Sequence, residues 1–306
     1  MKTHIDWVTF RTKTGPYDVL EALRPAFGPV AELVTLVAAD RGRDGWEHGK
    51  DIVLAGDIRL GQIDYGGHSQ REWVRVILTG EGCGWVDDWL KFTVGMMETK
   101  EAEFRRVDIA LTTYAGEVSH QRVLEAVEAG KFTTVGRAPN VNLVGCLNDP
   151  RAGKTVYVGS RSKSDKFLRC YEKGFEMIKS LPESERIQKT HIGPDRIEDI
   201  YRVELELKPS TKEISLNVLM HRDEVFASAY PFCAELLPGL PHYVRKALPD
   251  DRPVATLAGL LAHCKAAYGA VIFTALQVYG DREKVLALIT GTEHSKTLVE
   301  AGALTI

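Results

Sequence analysis

The chain of 306 residues has 39 Lys and Arg against 42 Asp and Glu, a net charge of −3, and 44% hydrophobic residues. This is the composition of an ordinary globular protein with a proper core, and its bulk charge gives no argument for nucleic acid. The five cysteines (Cys83, Cys146, Cys170, Cys233, Cys264) are odd in number and lack short paired spacings. They fit reduced thiols in the cytoplasm better than a disulfide framework or a zinc site. The opening MKTHIDWVTFRTK holds no apolar run of signal-peptide length, and no run in the chain is long enough to span a bilayer. The expectation is a soluble cytoplasmic protein with no membrane partner.

In chain order, His4 to Thr12 alternates and reads as a strand bounded by Gly15-Pro16. Tyr17 to Ala38 has helical spacing in two pieces, broken at Gly28-Pro29. Short strands follow around Asp51 to Asp57, Leu60 to Tyr65 and Glu72 to Thr79, an antiparallel meander. Trp85 to Glu98 returns to helical spacing. Glu103 to Thr113 is a strand with Val107, Ile109 and Leu111 on one face and Arg106, Asp108, Ala110 and Thr112 on the other. Val118 to Ala129 reads as a helix closed by Gly130, Phe175 to Ser180 as a short helix, and Leu181 to Glu198 as a polar, partly mobile stretch. Tyr201 to Lys208 (YRVELELK) alternates cleanly, with Arg202, Glu204, Glu206 and Lys208 sharing a face. Two carboxylates about 6.6 Å apart on one strand would both lean towards a cation, or else form cross-strand salt pairs. The pattern after Pro209 is mainly helical: Ile214 to Ala229, Ala255 to Ala267, Asp281 to Thr290, and a tail helix around Ser295 to Ala301. Residues 238–253 are the candidate boundary, giving a main domain over 1–237 and a helical region over 238–306. No internal repeat or phosphate-binding glycine loop stands out.

The centre of the chain is Lys154 to Gly174, KTVYVGSRSKSDKFLRCYEKG. It reads as a hairpin, Thr155 to Gly159 and Phe167 to Lys173, joined by a basic turn. Between Arg151 and Lys173 there are seven Lys or Arg against Asp165 and Glu172, strongly basic inside a mildly acidic chain. On the second strand Phe167, Arg169, Tyr171 and Lys173 share a face, so cations flank the Tyr171 phenol on both sides. Such a phenol is placed to meet a phosphodiester; a basic sheet face with a gap-filling tyrosine is the plainer alternative. A free phenol has a pKa near 10 and needs activation, which Arg169 and Lys173 are expected to supply. The basic turn carries Arg161, Lys163 and Lys166, and YRVELELK carries Arg202; these are the candidate contacts for a phosphate backbone.

Taken together, RRVDIA, the Tyr171 strand and YRVELELK, in this order and spacing, resemble the replication initiation factor family. Closest to its signature is TVYVGSRSKSDKFLRCYEKG, and the resemblance runs over roughly His4 to Cys233. It implies a rolling-circle DNA nickase that cuts and rejoins one strand through a 5′-phosphotyrosine on Tyr171. It further implies Mg²⁺ or Mn²⁺ on Asp108, Glu204 and Glu206, and single-stranded or supercoiled origin DNA as substrate. A host helicase and a second copy of the chain are the other partners it suggests. Two features depart from the family: threonines at 112 and 113 where a second acid is expected, and no His-hydrophobic-His pair. Rival readings are a DNA-binding replication regulator that has lost nicking and a metal-independent enzyme of tyrosine-recombinase type. The fold expected is α+β, an antiparallel sheet with helices packed on one face and a C-terminal helical part.

Overall fold

A computed structural model describes residues 1–134, 136–146, 148–248 and 257–294. The chain divides into two compact units, Met1–Leu248 and Pro249–Ile306. Ten strands of the first unit form one antiparallel sheet: β1 (His4–Thr12), β2 (Val34–Ala38), β3 (His48–Leu54), β4 (Ile58–Tyr65), β5 (Val74–Leu78), β6 (Glu103–Thr113), β7 (Val141–Val144), β8 (Thr155–Val158), β9 (Lys166–Tyr171) and β12 (Tyr201–Leu207). Two-residue strands β10 (His191–Ile192) and β11 (Asp195–Arg196) make a separate small hairpin. The order across the large sheet is β2-β3-β4-β5-β1-β6-β12-β9-β8-β7.

This order is a duplication that the residue pattern does not announce. In each half a central strand (β1 or β6) leads through a helix, α1 (Pro16–Leu23) or α4 (His120–Glu128), to an edge strand. Three further strands then step back until the last, β5 or β12, lies beside the first. Each half closes with helices: α2 (Gly80–Gly84) and α3 (Trp89–Glu98) after β5, α7 (Arg222–Ala227) and α8 (Pro231–Leu236) after β12. The halves meet where β1 pairs antiparallel with β6, Val8 opposite Val107. Only the second half carries an insertion between its last two sheet strands, with α5 (Lys173–Met177), α6 (Glu183–Gln188) and the small hairpin.

One face of the sheet builds the core. Val8 and Phe10 of β1, Val107, Ile109 and Leu111 of β6, Leu168 and Cys170 of β9, and Val203 and Leu205 of β12 are buried in a single apolar cluster with Leu23, Phe92, Met96, Val123, Phe226 and Phe232 from the helices. Strict alternation of β-branched and aliphatic residues on β6 and β12 is what turns this face inward. Helix starts follow their caps: Asp88 accepts from the Leu90 and Lys91 N–H groups at α3, and Ser119 from Arg122 N–H at α4. The edge strand β7 leaves Leu143 and Val144 exposed.

Several elements differ from the sequence reading. The second helical piece before Ala38 is a 3₁₀ turn over Arg24–Leu33, broken at Gly28 (φ 54°), and it ends in strand β2. Ile214 to Ala229 is not one helix but a 3₁₀ turn, Leu216–Leu219, followed by the short α7. Strand β9 stops at Tyr171, and Lys173 opens α5. The stretch expected to be partly mobile holds α6, β10 and β11. In the second unit a 23-residue helix α9 (Leu257–Tyr279) outruns the predicted Ala255 to Ala267, and α10 (Arg282–Ile289) follows, capped by Asp281. The tail helix expected at 295–301 lies outside the described residues. No helix among the described residues is long and apolar enough to cross a membrane.

Candidate active site on the polar sheet face

Opposite the core, β6, β12 and β9 turn a row of charged residues to one face. Cross-strand pairing sets Glu206 beside Asp108, Glu204 beside Arg169, and Arg202 beside both Thr112 and Tyr171. Because these strands lie at the middle of the sheet, the three carboxylates Asp108, Glu204 and Glu206 are each only 1% exposed. Carboxylates so far from water must find cations, and they do.

Arg106 donates from Nε to Asp108 Oδ1 at 2.8 Å, and its Nη2 reaches Glu206 Oε2 at 3.1 Å, so one guanidinium bridges two acids. Arg161 Nη2 approaches the same Glu206 oxygen at 3.1 Å, and Lys208 Nζ lies 2.7 Å from Oε1. Arg169 pairs with Glu204 Oε1, while the Tyr171 hydroxyl donates to Glu204 Oε2 at 3.1 Å. Arg202 holds Asp6 Oδ1 at 2.8 Å and Thr112 Oγ1 at 2.9 Å. Of the residues singled out from sequence, Tyr171, Arg169, Arg202, Asp108, Glu204, Glu206 and Arg161 therefore come together on one face. Lys173, off the strand, still stands 5.9 Å from the Tyr171 ring centroid and pairs with Glu176. Lys163 is exposed on the turn, and Lys166 points the other way, its ammonium over the Tyr230 ring at 4.0 Å. Asp6, Arg106, Thr112 and Lys208 complete the network; strand alternation had already set Arg106 and Thr112 on the face of Asp108 and Lys208 on that of Glu204 and Glu206, whereas Asp6 carried no sequence signal.

The ionisation of the site follows from burial and its immediate partners. Burial first, then the negative Glu204, push the Tyr171 phenol well above its ordinary range, and the pull of Arg202 and Arg169 does not reverse this. The flanking cations therefore do not bring the phenol below its ordinary range, and it rests neutral. Burial, with Glu204 and Glu206 close by, also raises Asp108 to about 7 against the pull of Arg106. At Asp6 burial is outweighed by the His4 hydrogen bond and by Arg202, which bring the carboxyl down to about 2.

Whether the acids would hold a divalent ion turns on the same contacts. Asp108 and Glu206 are joined through Arg106, and Glu204 is engaged by Arg169 and Tyr171. Among the described residues no group of three His, Cys, Asp or Glu side chains is disposed to hold a metal ion. The acids as they stand fit a guanidinium-bridged network and do not fit a metal cage.

Residues 102–246, spanning β6 to α8 and the segment after it, match the family described as replication initiation factor. This segment belongs to the replication initiation factor family. The whole polar constellation except Asp6 lies inside the replication initiation factor segment. In three dimensions the chain is similar to a rolling circle replication initiator protein from Geobacillus stearothermophilus, at 19% identity and a TM-score of 0.52. The match covers 82% of this chain and 89% of that one, and the likeness is one of fold. No curated protein matches the chain.

Proposed function

We propose that the chain is a rolling-circle replication initiator that nicks and rejoins one strand of origin DNA, with Tyr171 as nucleophile. The observation that carries this reading is the Tyr171 hydroxyl donating to Glu204 at 3.1 Å within a cluster of guanidinium groups. In the proposed step the Tyr171 oxygen attacks phosphorus as Glu204 takes the phenol proton. The phosphorus–oxygen bond to the 3′ side breaks, the departing oxygen takes a proton from water, and the 5′ phosphate stays on the tyrosine. Rejoining is the reverse: the 3′ hydroxyl gives up its proton to the hydroxide left by that water and attacks phosphorus, the bond from phosphorus to the tyrosine oxygen breaks, and Glu204 returns its proton to the phenolate. Arg169 and Arg202 flank the phenol and would stabilise charge on the phosphoryl oxygens. The phosphodiester energy is conserved in the covalent bond, so nicking and rejoining require no nucleotide cofactor.

Mg²⁺ or Mn²⁺ is a separate proposal, resting only on the hard oxygen donors of Asp108, Glu204 and Glu206. Its binding requires Arg106 to leave its place between Asp108 and Glu206. The experiment that tests the main reading incubates the purified chain with single-stranded and supercoiled DNA of its own replicon, with Mn²⁺ or with chelator. A denaturing gel then reads the protein–DNA adduct. Loss of the adduct in Tyr171→Phe supports the nickase; retained DNA binding with no adduct in the wild type would establish the non-nicking regulator instead.

A further inference from the structure

The basic turn between β8 and β9 has two sides, and only one of them serves the Tyr171 face. Arg161 reaches across to Glu206. Lys163 and Ser164, two and three residues on, line a cavity of about 590 Å³ at the ends of β9 and β12, on the helix side of the sheet. That volume lies within the range of about 300–1,000 Å³ found for small-ligand sites.

Charge in this cavity is one-sided. Arg137, Lys163, Lys166, Lys212 and Arg245 line it, with Asp165 the one carboxylate among its lining residues. Asp165 is already occupied: its oxygens accept from the Thr211 and Lys212 N–H groups and the Thr211 hydroxyl. None of the five cations forms an ion pair with a carboxylate among the described residues. Arg245 is spent on the backbone, donating to the carbonyls of Glu213, Asp165, Lys208 and Lys212, so it contributes charge more than free donors. Lys166 is the unusual member. Its ammonium is largely buried, with the Ala229 carbonyl and the face of Tyr230 as its neighbours, and burial together with Lys212 and Arg245 lowers it to about 8. A buried ammonium without a counter-ion is costly unless an anion completes it. Beside it, Tyr230 and Tyr243 give the cavity aromatic surface.

We propose that this cavity binds one nucleotide of a single DNA strand, its phosphate on Lys166 and Lys212 and its base against the tyrosines. The strand held at Tyr171 would pass round the turn, from Arg161 to Lys163, to reach it. This rests on the replication reading above and adds a second, non-covalent subsite to it.

The test uses the full chain in a Tyr171→Phe background, so that binding is not confounded by covalent capture. A fluorescently labelled single-stranded oligothymidylate is titrated at several salt concentrations and followed by anisotropy. Lys166→Met keeps the aliphatic stem, and a Lys163→Ala/Lys212→Ala double variant alters only the rim; circular dichroism melts verify that both are folded. Both are expected to lose affinity several-fold, with the salt slope falling by about 0.7 for each phosphate contact removed. Unchanged affinity and slope in the folded variants would overturn the subsite while leaving the nickase reading intact. Displacement of the oligonucleotide by thymidine 5′-monophosphate at micromolar concentration would also overturn it, marking the cavity as a free-nucleotide site. No oligonucleotide binding by the Tyr171→Phe parent would defeat this inference together with the replication reading.

Discussion

At Tyr171, burial and the Glu204 charge hold the phenol protonated, so the proposed reaction depends on Glu204 as base more than on the cations nearby. Glu204→Gln keeps the shape and removes the base. It is expected to slow adduct formation by roughly 10²–10⁴-fold in a timed denaturing-gel assay, with oligonucleotide binding retained. Arg106 gives a second expectation. If a divalent ion must displace it from between Asp108 and Glu206, Arg106→Ala binds Mn²⁺ more tightly than the wild type in a calorimetric titration, and equal affinity would remove that competition from the account. Asp108 adds a pH effect. Its folded value of about 7 stands above the ordinary 3.8, so its contribution to stability is complete below pH 3.8 and is lost as pH rises through 7. Asp108→Asn should therefore flatten the fall in urea midpoint between pH 4 and 7. The identities at this site were legible because β6, β9 and β12 alternate so regularly. Their ionisation was not, since it is set by burial to 1% exposure and by arginines on neighbouring strands, and neither is written in local spacing.

The elements around the site are held by close backbone approaches. Gly174, three residues past Tyr171, packs so tightly on the Ile197 carbonyl that a Cβ would sit 2.1 Å from its oxygen. Gly174→Ala should cost about 1–3 kcal/mol in a urea melt and shift Lys173 away from the Tyr171 ring. Here the sequence was informative where periodicity was long: β6 over eleven residues and β12 over seven were read nearly to the residue. Short elements escaped it. Strand β2 follows a turn whose apolar residues keep helical spacing, and only pairing with β3 makes Val34–Ala38 extended. The run after Ile214 has apolar residues all along it, which satisfied a helical pattern although the chain turns at Ser215 and again at His221.

Across the whole first unit, the two halves repeat one frame and differ in the residues it carries. Ladder positions correspond: Val8 and Val107 face each other at the seam and carry Leu78 and Leu207 on their far sides, so Ile77 takes the place of Glu206, and the pair Arg75–Asp64 that of Glu204–Arg169. The first half thus keeps the frame with acid and base exchanged between the two strands, and Asp64 is neutralised by Arg75 at 2.7 Å. Sequence could not show this, because what repeats is pairing order and not residue identity. The seam is shared, since Val107 lies opposite both Val8 and Leu207 within one core. Val107→Ala is expected to lower hydrogen-exchange protection in β5 and β12 together; loss confined to β12 would mean that the halves open independently.

The sheet ends at β7, a strand of four residues with only β8 beside it, and it leaves Leu143 and Val144 in solvent. A free strand edge is where a β protein sticks to its neighbours. The shortness of this one limits how many backbone groups a second chain could satisfy there. Lengthening it, or replacing Asn142 with a β-branched apolar residue, would turn an end of the molecule into a seed for aggregation, so poor solubility on concentration is the first failure to watch for in any variant altered at this margin.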